Sequence, residues 1–199
     1  MKLALFDFDG TITTKDSLVD FIQFAVGKPG YYAGLTKLSP MLTAYTLKLI
    51  PNDIAKERLI GHFFGEWESE KFQQLAEQYS FEKIDTIVRP EAMERVRWHQ
   101  EQGDHVVIVS ASMECWLTGW CKKKNIELIS TQLETIDGRL TGRFATKNCY
   151  GVEKANRVKE IYNLEEYDHI YAYGDSRGDR ELLALANESF YKPFRARKS

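Results

Sequence analysis

Leu3 to Phe8 is a short apolar run ending in acidic residues, Asp7 and Asp9, and Gly10. That pattern predicts a buried strand running into a tight turn. From Asp16 to Asp85 the spacing changes to a helical one. Leu18, Val19, Ile22 and Ala25 or Val26 fall on one helical face, with Asp16 placed to cap it. Gly27, Pro29 and Gly30 interrupt this helix. A second helix is predicted over Tyr31 to Leu49, bent at Pro40. A third is capped by Asn52 or Asp53, and a fourth runs from a Ser69 cap to about Gln78.

Beyond this stretch helices and strands alternate. Pro90 to Gln102 reads as a helix and Val106 to Val109 as a buried strand. Met113 to Lys124 is helical, and Ile126 to Ser130 is a short strand. Leu133 to Ile136 and Leu140 to Phe144 flank Asp137-Gly138, a hairpin turn signal. Val152 to Tyr162 is helical, Ile170 to Tyr173 a strand and Asp179 to Ala186 a helix. Such alternation predicts an α/β fold with a doubly wound, mainly parallel sheet. Residues 1–15 and 86–199 would form its core, and the helical insertion 16–85 would sit above one sheet edge as a lid.

Composition narrows the class. The chain has 199 residues, enough for one large domain or a domain plus an insertion, with 43% hydrophobic and 28% charged residues. Disorder is excluded as the main state. A net charge of −2 supplies no global field for nucleic acid. Cys115, Cys121 and Cys149 have no metal or disulfide spacing and read as packing residues of a reducing, cytoplasmic compartment. The four histidines, His62, His99, His105 and His169, lack ligand spacing and read as surface or hydrogen-bonded structural groups. The start, Met1 to Asp7, lacks the apolar length of a signal peptide. No run is long enough to span a membrane; the nearest, Tyr31 to Ile50, contains Lys37, Pro40 and Lys48. That stretch is either inter-helix core or an apolar face touching a membrane or lipid-like substrate, with Lys28, Lys37 and Lys48 near headgroups. Arg195-Ala196-Arg197-Lys198 reads as a solvated tail.

Ligands of open parallel sheets bind beyond the carboxyl ends of the strands. The residues expected there are Asp7 and Asp9 after the first strand, Ser110, Ala111 and Ser112 after the second, and Asp175 and Asp179 after the last. Lys154, at a helix start after Gly151, reaches the same crevice and is preferred to Lys147 and Lys159. Four converging carboxylates repel one another unless a cation joins them. Oxygen donors without histidine or cysteine point to Mg²⁺. A hydroxyl, backbone N–H groups and an ammonium suit phosphate oxygens, so the chemistry is phosphoryl transfer.

Asp7-Phe8-Asp9-Gly10-Thr11, Ser110, Lys154 and Gly174-Asp175-Ser176-Arg177-Gly178-Asp179 together resemble, in order, the four motifs of the haloacid dehalogenase-like superfamily. The resemblance implies a Rossmann-like core carrying a helical type-1 cap, as in the phosphoserine-phosphatase-like branch. Ser110-Ala111-Ser112, Thr131-Gln132-Leu133-Glu134 and Gly138-Arg139-Leu140-Thr141-Gly142 resemble a bacterial subgroup that includes phosphatidylglycerophosphatase C. It further implies that Asp7 is the nucleophile and Asp9 the general acid and base. Asp7, the Asp9 main-chain carbonyl, Asp175 and Asp179 would hold Mg²⁺, while Ser110, Ala111 and Lys154 would hold the phosphoryl group. Phosphoserine phosphatases carry Gly-Gly where this chain has Ala111-Ser112, and a substrate-reading glutamate where it has Asp16. The implied activity is hydrolysis of a small phosphorylated metabolite. A lipid phosphate at the membrane periphery and phosphotransfer to an alcohol are its neighbours. A non-catalytic phospho-ligand module would be expected to lack one of the two aspartates, and both are present.

Overall fold

The computed structural model describes residues 1–195. Five parallel strands form the sheet: β1 (Lys2–Phe6), β2 (His105–Met113), β3 (Glu127–Thr131), β6 (His169–Gly174) and β7 (Glu188–Tyr191), in the order β3-β2-β1-β6-β7. β1 lies at the centre because both of its faces are apolar. Ala4 and Phe6 point into one core, and Leu3 and Leu5 into the other. Val106 and Ile108 join the first core, Val107 and Val109 the second. Helices α6 (Pro90–Glu101) and α7 (Glu114–Lys123) bring Val96, Trp116 and Trp120 to the first face. Helices α8 (Val152–Ile161) and α9 (Arg180–Leu183) bring Val158 and Leu182 to the other. The result is a Rossmann-like sheet covered on both sides.

Helices α1 (Ser17–Lys37), α2 (Ser39–Thr46), α3 (Asn52–Phe64), α4 (Ser69–Glu82) and α5 (Ile84–Ile87) lie between β1 and α6. The chain enters and leaves this insertion through paired strands of linker: Thr14 N–H donates to Ile87 O at 2.7 Å and Arg89 N–H to Ile12 O at 2.8 Å. Phe21 stacks on Trp116 with ring centroids 4.6 Å apart, joining the insertion to α7.

Several element boundaries differ from those the sequence predicts. Helix α1 is broken at Gly27 (φ 72°) but resumes and runs to Lys37. Tyr31 to Leu49 is therefore two helices, because Pro40 lacks an N–H and fits the first turn of α2. Asp16 does cap α1, accepting from Val19 N–H at 3.1 Å. Asn52, Asp53 and Ser69 do not cap their helices, whose N-caps are Pro51 and Glu68. The Asn52 side chain instead accepts from Asn148 Nδ2 at 3.1 Å. Helix α4 continues past Gln78 to Glu82. The helix expected over Asp179 to Ala186 shrinks to Arg180–Leu183, and a further edge strand, β7, follows it. Arg195 is not solvated freely: its guanidinium pairs with Asp175. Ala196, Arg197 and Lys198 lie outside the described residues. Among the histidines, His99 is buried between Asp104 and the Tyr173 hydroxyl.

Strands β4 (Leu133–Ile136) and β5 (Arg139–Phe144) form the expected hairpin, with Asp137 and Gly138 at φ 50° and 75°. Its turn end is bonded to the insertion. Glu66 N–H donates to Leu140 O at 2.8 Å, Leu140 N–H to Trp67 O at 3.0 Å and Ser69 N–H to Gly138 O at 2.8 Å. Closer to α3 the two backbones touch at glycines. A Cβ on Gly142 (φ 80°) would stand 2.3 Å from Gly61 Cα.

Gly142→Ala is therefore expected to destabilise the fold by about 2–4 kcal/mol, through left-handed strain plus the backbone clash. That corresponds to a loss of on the order of 10 °C in Tm. Gly138→Ala shares the positive φ but meets nothing within 4 Å, so it isolates the strain. Equal losses in thermal unfolding of the two variants would refute the close-approach argument.

Candidate active site

Backbone pairing places Asp7 first. Its N–H donates to Tyr173 O at 2.9 Å, which extends β1 by one residue toward the end of β6. The chain then turns through Phe8 to Ile12, with Gly10 at φ 84°. A Cβ on Gly10 would come within 2.6 Å of Asp175 Oδ2, so glycine is required for this turn to lie against the β6 loop.

The buried Asp7 carboxylate accepts from Thr11 Oγ1 at 2.8 Å and from Lys154 Nζ at 2.5 Å. Lys154, on the first turn of α8, also donates to Asp179 Oδ1 at 2.7 Å. Asp179 Oδ2 accepts from the N–H groups of Asp175 and Ser176 at 3.1 and 2.9 Å and from the Ser176 hydroxyl at 2.9 Å. One carboxylate oxygen from each of Asp7, Asp175 and Asp179 lies within 4.8 Å of the others.

Asp9 faces elsewhere. Its carboxylate accepts from Ser17 N–H at 2.7 Å and from the Ser112 hydroxyl. Ser112 N–H in turn donates to Ser110 Oγ at 3.0 Å, and the Ser17 and Ser112 hydroxyls are 2.8 Å apart. The turn thus divides the two aspartates, one into the acid cluster and one toward the start of the insertion.

Electrostatics follow from burial. Burial pushes Asp7 up to about 7 against the pull of Lys154. Burial and the Asp16 charge push Asp9 up to about 6, opposed by the Ser112 and Ser17 hydrogen bonds. Burial alone would lower Lys154, but Asp7 and Asp179 reverse the sign and hold it above the ordinary lysine value. Burial raises Asp175 despite Arg195. Asp179 is pulled below the usual range by Lys154 and the Ser176 bonds, which outweigh its burial.

Of the residues expected from the sequence, Asp7, Lys154, Asp175 and Asp179 meet directly. The sequence predicts Ser110, Ala111 and Ser112 after the second strand, but β2 runs on to Met113 and holds all three. Ser110 is buried within it and joins Asp9 through Ser112. Asp16 is exposed at the cap of α1. Lys159 is exposed, and Lys147 lines an outer cleft of about 640 Å³ together with Asn52, Asp53, Glu57, Asn148 and Glu153. Asp7, Asp175 and Asp179 are not among its lining residues.

Sequence reasoning missed Lys56. This α3 side chain crosses from the insertion and donates to Ala111 O at 3.3 Å. Burial lowers its pKa, partly offset by Asp16 and Asp9. It also missed Arg195, and it named Ser112 without giving it a partner. Ser112 had a signal in the sequence, the spacing of two from Ser110. Lys56 had none, since its reach depends on how α3 packs.

The acid cluster fits a hard divalent cation in its donor chemistry, with three carboxylates converging and Lys154 and Arg195 paired to them. A family model for haloacid dehalogenase-like hydrolases matches residues 4–184. The chain belongs to that family. This hydrolase is 31% identical over 197 residues to Protein CicA of Caulobacter vibrioides, covering 98% of this chain and 87% of the relative. It is 27% identical over 196 residues to a histidinol-phosphatase of Neisseria meningitidis, covering 94% and 88%. A Bordetella pertussis protein of unknown function has a similar structure, with TM-score 0.81, 23% identity, and 94% and 88% of the two chains covered. A phosphoserine phosphatase, solved as a phospho-aspartyl intermediate analogue, matches with TM-score 0.66, 18% identity, and 94% and 84% covered. The two structural likenesses concern the fold of this hydrolase.

Proposed function

We propose that the protein is a Mg²⁺-dependent phosphatase that hydrolyses a phosphomonoester through an aspartyl-phosphate on Asp7. The observation that carries this reading is the division between Asp7, bound to Lys154 within the acid cluster, and Asp9, held apart by Ser17 and Ser112. An Asp7 oxygen attacks phosphorus while the ester oxygen leaves with the Asp9 proton. Asp9 then removes a proton from water, which attacks phosphorus and releases phosphate and Asp7. A carboxyl held near 6 supplies both forms around neutral pH. Ser110, the Ala111 backbone and Lys154 bind the phosphoryl oxygens. Asp7, the Asp9 main-chain carbonyl, Asp175 and Asp179 hold Mg²⁺, which when bound offsets the negative charge of the phosphoryl group.

The substrate is a small phosphorylated metabolite. The Neisseria relative named histidinol-phosphatase supports this class, since it matches most of both chains. Asp16 and Lys56 reach the leaving-group side from the insertion and read that group. Lys56→Met is accordingly expected to raise KM about tenfold while kcat falls less than about threefold, the pattern of lost ground-state binding. A fall in kcat with KM unchanged would remove Lys56 from substrate reading.

The reading is tested with purified protein and a panel of phosphoserine, histidinol phosphate, sugar phosphates, nucleotides and an aryl phosphate. Phosphate release is expected to stop with a chelator and return with Mg²⁺. No turnover of any panel member, the aryl phosphate included, would overturn it.

A further inference from the structure

Between Asp20 and Asp53 the chain carries three lysines, Lys28, Lys37 and Lys48, and no acidic residue or arginine, in a protein of net charge −2. All three lysines are exposed. The same segment presents large apolar side chains to water: Tyr32 is 62% exposed, Leu47 65% and Leu49 73%. It also supplies core, since Met41 is buried and Tyr31 and Leu38 pack against the main cluster. The exposed residues are thus those left over after the helices have packed. Lys48 takes a left-handed conformation (φ 60°) in the turn joining α2 to α3, with Leu47 and Leu49 on either side of it.

We propose that this tip docks on an anionic lipid surface, with Leu47 and Leu49 entering the headgroup boundary and the lysines meeting lipid phosphates. Two exposed leucines with an exposed lysine between them, in a stretch of chain from Phe21 to Asn52 whose charged residues are all lysines, fit such a surface in both polarity and charge. A second copy of the chain fits less well, because a two-fold contact through this tip would set its lysines against the same lysines. The tip also adjoins the outer cleft: Asn52, which lines it, is three residues from Leu49, at most about 11 Å of chain. This inference stands apart from the phosphatase reading, since binding is measured without turnover.

The test is co-sedimentation of the full chain with vesicles of phosphatidylcholine alone or with one quarter phosphatidylglycerol, at low and high salt. Binding to the anionic vesicles is expected to exceed binding to the neutral ones about tenfold and to fall with salt. The double variant L47S/L49S is expected to lose about tenfold in partitioning. It should keep the wild-type circular dichroism spectrum and its aryl phosphate turnover. Absence of sedimentation, or equal binding to both vesicle types, would overturn the proposal. So would a dimer in light scattering that the double variant returns to monomer, which would make a second copy the occupant.

Discussion

Asp7→Asn is expected to abolish phosphate release, by about 10⁴-fold or more, while the metal-free protein becomes no less stable. The first half follows from chemistry: the amide is nearly isosteric but cannot attack phosphorus. The second half follows from burial. Asp7 is pushed up to about 7 from 3.8 because the folded protein desolvates its charge and sets it beside Asp179. A group raised on folding contributes stability below its unfolded value and loses that contribution as pH rises through the folded one. The metal-free wild type should therefore lose stability between about pH 4 and pH 7, and Asp7→Asn should flatten that slope. Divalent cation reverses the comparison, because ionised Asp7 then has a partner the amide replaces poorly. Thermal unfolding across pH, with chelator and with Mg²⁺, reads both halves. A variant that unfolds early with chelator would make the activity loss a folding defect, and one that retains turnover would remove Asp7 as nucleophile.

What the sequence made legible was set by local pattern. β1, β2 and β6 are continuous apolar runs, and the polar residues that follow them sit at one sheet edge wherever such runs are parallel. Asp7 and Asp175 could be named for that reason, whereas Ser110 was placed after its strand and lies within β2, which runs on to Met113. Lys154 could be chosen over Lys147 and Lys159 because a helix start after Gly151 points toward the same edge. β7 was not legible, because Glu188–Tyr191 is short and exposed at the edge, with only Phe190 partly buried. The end of α1 was misread because Gly27 and Pro29 signal a break, yet the helix restarts around them and closes before Pro40. Lys56 and Arg195 depend on tertiary placement alone. One crosses from α3 to the Ala111 carbonyl and the other folds back on Asp175, and no spacing in the chain encodes either reach. The attachment of the β4–β5 hairpin to residues 66–69 is of the same kind. Its turn is written in Asp137-Gly138, but the residues it pairs with lie in a segment some seventy residues earlier.

Lys154→Met separates the charge balance of the cluster from its chemistry. Lys154 is 2% exposed and is shared by two carboxylates, Asp7 at 2.5 Å and Asp179 at 2.7 Å. Methionine fills most of the volume, so packing is largely kept and the charge alone is removed. Two buried carboxylates are then left facing each other without a cation, which costs about 3–5 kcal/mol for a broken buried pair. The metal-free variant should lose on the order of 10 °C in Tm, opposite in direction to Asp7→Asn. Its kcat should fall about 10³-fold, since the proposed mechanism sets that ammonium against developing phosphoryl charge. Added Mg²⁺ should raise the variant's Tm by more than it raises that of the wild type, because the divalent cation takes over the neutralisation Lys154 supplied. Lys154→Arg keeps the charge but carries a planar, bulkier head into a site built for a point donor, and should not restore kcat. A methionine variant with unchanged Tm and kcat within tenfold of wild type would show that Lys154 neither balances the cluster nor binds phosphate.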